Sequence, residues 1–215
     1  MVRLILVRHG QSESNVAALL DSAEPGAPLS ALGRQQAAEL PARFAEERIE
    51  RVVASPLART VATARPLADA LGLPLPVDAG LREVLSGDLE MRGDRDAHLA
   101  YLDPVFRWMA GDLAARVPGS PEDGRDFLAR YDRAVEAAVQ GAVGAVVLAS
   151  HGAAIRAWAG IRAANLPDDH GRERGLPNTG VVVLEGAPGA WRATEWQGER
   201  FTDVDDDPTG AGVPG

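Results

Sequence analysis

Two histidine–glycine pairs are the residues of this chain whose types and positions could do chemistry together. Residues 8–10 read Arg-His-Gly after a short apolar run, and residues 150–152 read Ser-His-Gly after another. A histidine in such a place can act as a nucleophile or as a base. The arginine beside it supplies a fixed positive charge that suits phosphate, and glycine lets a ligand approach the backbone. The two pairs therefore indicate chemistry on a phosphate-like group.

Strands and helices must alternate along the chain to position these pairs. Apolar runs predict strands, or at 81–84 a strand-like entry to a loop, at residues 4–7, 51–54, 81–84, 144–149, 181–184 and 193–196. Helical spacing predicts helices that begin at Ser30, at Ser55-Pro56 and near residues 97, 127 and 153. Pro41 should interrupt the first helix, and Gly72 should end the second.

This alternation predicts an α/β fold, a three-layer sandwich with a largely parallel central sheet flanked by helices. Ligands bind beyond the carboxyl ends of strands in such folds, so both histidine–glycine pairs should lie on one rim. We expect one domain, residues 1–202, in which residues 86–125 form an insertion or lid that lines the substrate pocket. The acidic, glycine- and proline-rich tail at 203–215 is expected to be disordered.

Composition excludes several classes of function. The 215 residues contain no cysteine, which rules out disulfides, thiolate metal sites and a cysteine nucleophile. All 22 basic residues are arginine, which rules out a Schiff-base lysine and a Walker A lysine. A net charge of -9 argues against binding to nucleic acid or anionic membranes. No apolar run could span a membrane, and the first is too short for a signal peptide, so we expect a cytoplasmic protein.

Five short motifs share the predicted rim. They are Arg8-His9-Gly10 with Asn15, Ser55-Pro56-Leu57-Ala58-Arg59-Thr60, Leu81-Arg82-Glu83, Gly87-Asp88-Leu89-Glu90 and Ser150-His151-Gly152. In this order and spacing they resemble the histidine phosphatase superfamily, whose best-known branch is the cofactor-dependent phosphoglycerate mutases. Each motif is unspecific by itself, but the ordered set, which covers roughly residues 2–185, is specific.

The resemblance implies a role for each motif. His9 would be the nucleophile that carries the phosphoryl group as a phosphohistidine. Glu83 would protonate the leaving oxygen, with Glu90 as a rival acid. No metal and no cofactor would be needed. The residues that would hold the phosphoryl group are Arg8, Asn15, Arg59, His151 and Gly152.

Physical chemistry supports these roles independently of the family. Phosphoryl transfer needs positioning and stabilisation of charge on the phosphoryl oxygens, which arginine and histidine side chains can supply. Neighbouring arginines should lower the pKa of His9 and keep its ring neutral and nucleophilic. Glu83 could hold the required proton only if burial or a nearby carboxylate, Asp88 or Glu90, favours its protonated form.

Three functions are compatible with the sequence. The favoured one is a phosphomonoester phosphatase, which acts on a small phosphorylated metabolite or another phosphomonoester and in which water takes the phosphoryl group from His9. A phosphoglycerate mutase is disfavoured by the short, acidic, lysine-free chain, and a catalytically silent phosphate-binding module by the retention of Glu83. The substrate stays open, and a homodimer is compatible with the sequence without being required by it.

Several other residues have simpler interpretations. Asn15 could cap the segment that follows it, and Arg156 is expected to be structural or solvent-facing. His98 and His170 match no motif and are expected on the surface or in loops. Residues 176–180, Leu-Pro-Asn-Thr-Gly, match a sortase recognition pattern but lack its expected flanking segments. We interpret them as a turn that places Asn178 near the rim.

Overall fold

The computed structural model describes residues 1–201, and the tail predicted at 203–215 lies outside them. The described strands are β1 (Val2–Arg8), β2 (Ile49–Ala54), β3 (Ala145–Ser150), β4 (Val181–Ala187), β5 (Ala190–Trp196) and β6 (Glu199–Arg200). The described helices are α1 (Glu13–Val16), α2 (Ala31–Arg43), α3 (Ala58–Leu71), α4 (Arg95–Met109), α5 (Gly124–Val139), α6 (Gly152–Arg162) and α7 (His170–Glu173). None of these helices is long and apolar enough to cross a membrane.

The strands form one sheet in the order β2-β3-β1-β4-β5-β6. β3 pairs in parallel with both β1 and β2, whereas β4, β5 and β6 extend the sheet in antiparallel fashion. The predicted α/β fold with a central sheet is therefore confirmed, with parallel pairing confined to three strands. The short connection from Ala187 to Ala190 explains part of the difference, because only antiparallel strands can be joined so tightly.

Apolar residues cover both faces of the sheet. Along β1, Leu4 and Leu6 belong to a core cluster with α4, α5 and α6, while Ile5 and Val7 belong to a cluster with α2 and α3. Successive side chains of a strand point to opposite faces, so this central strand must be apolar throughout. The two clusters produce the predicted layers of helices on either side of the sheet.

Helix boundaries follow local sequence signals in most places. Ser30 caps α2 as predicted, since its side chain accepts the Gly33 N–H, and Gly72 ends α3 with a φ of 65°. Pro41 lies within the last turn of α2 and does not interrupt it. The prediction that Pro56 lies in the first turn of α3 is wrong, because Leu57 is the cap of this helix and the helix begins at Ala58.

Residues 81–84 do not form a strand. A 3-10 helix covers Ala79–Leu81, and the following backbone is irregular. The Arg130 guanidinium accounts for this conformation, since it donates to the carbonyls of Gly80, Arg82 and Glu83. Carbonyl groups held by one side chain are satisfied without a neighbouring strand. This arrangement anchors the backbone on either side of the predicted proton donor.

Candidate active site

The ends of β1 and β3 bring the two histidine–glycine pairs together. Arg8 is opposite Ser150 in the parallel register, and the backbone N–H of His9 donates to the Ser150 carbonyl at 3.0 Å. The ring centroids of His9 and His151 are 5.3 Å apart. The two motifs predicted to share a rim therefore lie in direct contact.

Arg59 links the two imidazole rings. It lies in the first turn of α3, and its Nε donates to His9 Nε2 at 3.1 Å. Its Nη2 lies 3.3 Å from His151 Nδ1. A guanidinium can only donate, so each of these imidazole nitrogens must present a lone pair. The side chain of Arg59 is buried, which places a positive charge between the two rings.

His9 is held in the tautomer that a nucleophile requires. Its Nδ1 donates to the Gly10 carbonyl at 2.7 Å, which leaves the lone pair on Nε2. Burial, together with the charges of Arg59 and Arg8, lowers the pKa of His9 well below 6.5. The ring is therefore neutral near pH 7 and lies on the wall of an open cleft.

His151 is fully buried and does not lie on the wall of that cleft. Its Nε2 donates to Ser55 Oγ at 2.8 Å, and its Nδ1 faces Arg59. Burial and the charge of Arg59 lower its pKa well below 6.5. In this arrangement His151 supports Arg59, and the contact with a phosphoryl oxygen that the resemblance implied would require Arg59 to move from Nδ1.

Arg8 crosses the start of α6 beside Gly152. Its Nη1 donates to the Leu176 carbonyl, while its Nε is buried and has no hydrogen-bond partner within residues 1–201. A Cβ atom on Gly152 would lie 3.1 Å from that Nε. Glycine at 152 therefore leaves the space that the Arg8 guanidinium occupies.

Glu83 faces the cleft at the amino end of α6. Its carboxylate accepts the backbone N–H groups of Ala153 at 3.2 Å and Ala154 at 2.8 Å, as well as that of Val84 at 2.9 Å. These are N–H groups that a helix start leaves unpaired. The rival acid Glu90 instead binds Ser22 and does not line the cleft.

Asn15 lies within α1 and lines the cleft, whereas the cap of this helix is Ser12, so the alternative that Asn15 caps the following segment is wrong. Its Oδ1 accepts the Ser12 N–H at 3.1 Å in a capping box and the Asn178 Nδ2 at 3.0 Å. Asn178 Nδ2 also donates to the His9 carbonyl at 3.1 Å. The predicted position of Asn178 at the rim is confirmed.

Comparison with known proteins agrees with this geometry. The sequence profile of the histidine phosphatase superfamily (branch 1) matches residues 4–199. The chain belongs to this superfamily. Its relatives and structural neighbours include proteins that are named as phosphoglycerate mutases or as phosphatases.

The chain is similar to three proteins with different names. A Probable phosphoglycerate mutase GpmB from Enterobacter sp. (strain 638) is 30% identical, with 95% of this chain covering 94% of that protein. The PE-PGRS family protein PE_PGRS11 from Mycobacterium tuberculosis is 33% identical over 89% of this chain, which spans only 36% of that protein. A mycobacterial glucosyl-3-phosphoglycerate phosphatase solved with VO3 superimposes with a TM-score of 0.76 and 28% identity, covering 92% of this chain and 99% of that one.

Asp21 is a residue of the site that no sequence motif indicated. Its Oδ2 accepts Arg59 Nη1 at 3.3 Å, Ser14 Oγ at 2.7 Å and the Ala27 N–H at 2.8 Å. Its backbone carbonyl accepts Arg59 Nη2 at 2.7 Å. A carboxylate thus fixes the central arginine of the site, in a loop whose sequence shows only small and turn-forming residues.

The predicted lid supplies one side of the cleft. Tyr101 and His98 project from α4 into its lining. The Tyr101 hydroxyl donates to the Val84 carbonyl at 3.0 Å, and burial raises its pKa well above 10. His98 is partly exposed, and its Nε2 lies 2.9 Å from the Ala18 carbonyl at the edge of the cleft. No periodicity in the sequence distinguishes these side chains from core residues of the same helix.

His170 differs from expectation, and it lies outside the cleft. It is buried, and its ring packs against Trp196 and Phe201 at centroid distances of 4.8 and 5.5 Å. Burial lowers its pKa below 6.5. It is therefore a core residue of the α7 region rather than a surface residue.

The cleft encloses about 200 Å³, which suits a phosphoryl group and a few further atoms. Its charged lining combines Arg8, Arg59 and Arg156 with Asp21 and Glu83. Within residues 1–201, no three histidine, aspartate or glutamate side chains are grouped in a way that could hold a metal ion. The positive groups available to a bound phosphate are therefore arginine side chains.

Proposed function

We propose that this chain is a metal-independent phosphomonoester phosphatase that works through a phosphohistidine on His9. The observation that carries the proposal is the neutral, buried His9, whose Nε2 lone pair lies at the cleft beside two arginines. A neutral imidazole next to fixed positive charge can attack phosphorus while that charge stabilises the phosphoryl oxygens.

In the first half-reaction, Arg59 Nε leaves the lone pair of His9 Nε2, which it contacts in the unliganded site. Arg8 and Arg59 then bind the phosphoryl oxygens, and His9 Nε2 attacks phosphorus. The N–P bond forms as the P–O bond to the alcohol breaks. Glu83 gives a proton to the departing oxygen, for which its carboxyl group must release the helix N–H groups that it accepts. In the second half-reaction, water attacks the phosphohistidine, returns a proton to Glu83 and releases inorganic phosphate.

Arginine takes the place that a metal ion has in other phosphoryl-transfer sites. The Arg59 side chain is fixed by Asp21 and both histidines, so its charge is oriented before the substrate arrives. Because Asp21 already holds Arg59 in the site, this charge can stabilise the transition state once Arg59 Nε has left the His9 lone pair. Activity should therefore survive removal of divalent metal ions.

The proposal is tested with p-nitrophenyl phosphate in the presence of EDTA. We expect release of p-nitrophenol and, after quenching, acid-labile phosphate on the protein. Absence of both would refute the phosphatase and leave a silent phosphate-binding module. Turnover of 3-phosphoglycerate to 2-phosphoglycerate with a bisphosphoglycerate primer, faster than phosphate release, would instead support the mutase that the GpmB relatives' name suggests.

A further inference from the structure

Arg156 lies at the wall of the catalytic cleft, where none of the roles described so far uses it. It follows Ala153 by one turn of α6, and both residues line the cleft. Residues three apart on a helix share a face, so the helix that binds Glu83 at its start also presents this guanidinium. The sequence alone predicts a structural or solvent-facing position for Arg156.

The Arg156 guanidinium is fixed in direction. Its Nε donates to the Gly171 carbonyl at 2.7 Å and its Nη2 to the Arg172 carbonyl at 2.9 Å. Its central carbon lies 5.4 Å from the centre of the Phe106 ring. The remaining nitrogen, Nη1, has no acceptor within residues 1–201, and these contacts leave it available to a ligand.

The charge of Arg156 is also unpaired. Arg59, in the same cleft, forms an ion pair with Asp21, whereas Arg8 and Arg156 form none with the carboxylates of the described chain. Burial lowers the pKa of Arg156, and the negative charge of Glu83 acts in the opposite direction. A partly buried cation without a carboxylate partner is a favourable place for an anionic group of a ligand.

The position of Arg156 relative to Glu83 indicates which part of a ligand it meets. In the proposed reaction the leaving oxygen departs on the side opposite His9 and is protonated by Glu83. Arg156 lines the same cleft as Glu83 and Arg8, and the Ala153 N–H that Glu83 accepts lies one turn before Arg156 on α6. Substituents on the carbon that bears the leaving oxygen therefore face Arg156.

We propose that Arg156 is a specificity-determining residue that binds a carboxylate on the leaving alcohol, next to the ester carbon. The preferred substrates are then phosphomonoesters of small hydroxy acids, a class that rests on the proposed phosphatase function. A second cavity of about 720 Å³ shares Arg8, Arg156 and Leu176 with the cleft. Larger substituents of such an alcohol would pass Arg156 into this cavity.

Two nearly isosteric esters test the inference, because they differ only in one group beside the ester carbon. 2-Phosphoglycerate carries a carboxylate where glycerol 2-phosphate carries a hydroxymethyl group. For the wild-type protein we expect kcat/KM, measured as phosphate release, to be about tenfold or more higher for 2-phosphoglycerate. Arg156→Met should bring the ratio close to one, and Arg156→Lys should retain part of it, because the charge remains.

Arg172→Met is the matched control. Arg172 lies 5.6 Å from the same Phe106 ring but lines neither cavity, so its loss should leave the ratio unchanged. A purely structural role of Arg156 predicts equal losses for both esters and would overturn the inference, as would a wild-type ratio near one. If p-nitrophenyl phosphate is hydrolysed but 2-phosphoglycerate is not preferred over glycerol 2-phosphate, the inference about Arg156 is refuted and the proposed phosphatase function is not. If no ester is hydrolysed, both the proposed function and this inference are refuted.

Discussion

The two histidine–glycine loops begin from nearly the same local sequence and end in different environments. Both follow neighbouring parallel strands, and the register places Arg8 opposite Ser150. His9 uses Nδ1 to bind its own loop and turns Nε2 towards Arg59 and the cleft. His151 uses Nε2 to bind Ser55 and turns Nδ1 towards Arg59 from a fully buried position.

The difference shows that the partner of the second ring nitrogen determines what each histidine can do. A backbone carbonyl holds the Nδ1–H of His9, so its lone pair is on Nε2, beside Arg59 at the cleft. The Ser55 hydroxyl holds the Nε2–H of His151, so its lone pair orients Arg59. In the proposed mechanism the first loop presents the nucleophile, and the second supports the charge beside it.

The largest expected effect comes from removing each imidazole in turn. We expect His9→Ala to lower kcat with p-nitrophenyl phosphate by on the order of 10⁴ or more and to abolish phosphoprotein formation. His151→Ala should cost about 10²-fold, because Arg59 loses an orienting partner, while acid-labile phosphate still forms. Rapid-quench measurement of both variants checks this. Equal losses, or labelling of His9→Ala, would contradict the division of roles.

Sequence reasoning could predict this pair because the chemistry lies in residues that directly follow strands. The alternation of strands and helices placed both loops on one rim, and the ordered motifs added Arg59 and Glu83. Residues that reach the cleft through tertiary packing gave no such signal. Asp21 lies in an irregular loop, and Arg156 points to the site only because α6 packs beside α7.

The irregular segment at 81–84 shows a second limit of local sequence patterns. Its apolar residues have the spacing of a strand, but Arg130 on α5 binds the carbonyls that a strand would pair. Long-range side-chain contacts of this kind override local propensity. Asn178, by contrast, was predicted near the rim because the strand that follows it begins at Val181.

A smaller effect is expected on stability when Gly10 or Gly152 is replaced by alanine, and it should differ between the two positions. A Cβ on Gly10 would lie 2.6 Å from the backbone oxygen of Gly33, whereas on Gly152 it would meet only the flexible Arg8 side chain at 3.1 Å. We expect Gly10→Ala to lower the free energy of unfolding by about 2–3 kcal/mol, and Gly152→Ala by less than about 1 kcal/mol. Urea denaturation measures both changes.

Because a Cβ on Gly152 would contact Arg8, Gly152→Ala should also change the binding of inorganic phosphate. Because its methyl group displaces Arg8, inhibition by inorganic phosphate should weaken about threefold even though stability changes little. Gly175→Ala is the control, since a Cβ there would have no neighbour within 4 Å. Equal destabilisation by Gly10→Ala and Gly175→Ala would show that the close approach to Gly33 is not a constraint.

The smallest expected effect concerns pH, and it sharpens the assignment of His9 as a neutral nucleophile. Burial and the charges of Arg59 and Arg8 lower the pKa of His9 well below 6.5, so its ring stays unprotonated as the solution becomes mildly acidic. An imidazole with an unperturbed pKa of about 6.5 would lose roughly tenfold in its neutral fraction by pH 5.5. We expect kcat/KM with p-nitrophenyl phosphate, corrected for ionisation of the ester, to fall less than about threefold between pH 7 and 5.5.

Replacing Arg8, a positive charge beside His9, should shift the loss of activity at acidic pH, the acidic limb of the pH profile, to higher pH. In Arg8→Met one of the two nearby positive charges is gone, so the pKa of His9 rises towards 6.5 and activity is lost at a higher pH than in the wild type. The comparison uses the shape of each pH profile rather than its height, because the variant also binds phosphate less well. An acidic limb that stays in place in Arg8→Met would mean that burial alone keeps His9 neutral and that Arg8 acts only on the phosphoryl group.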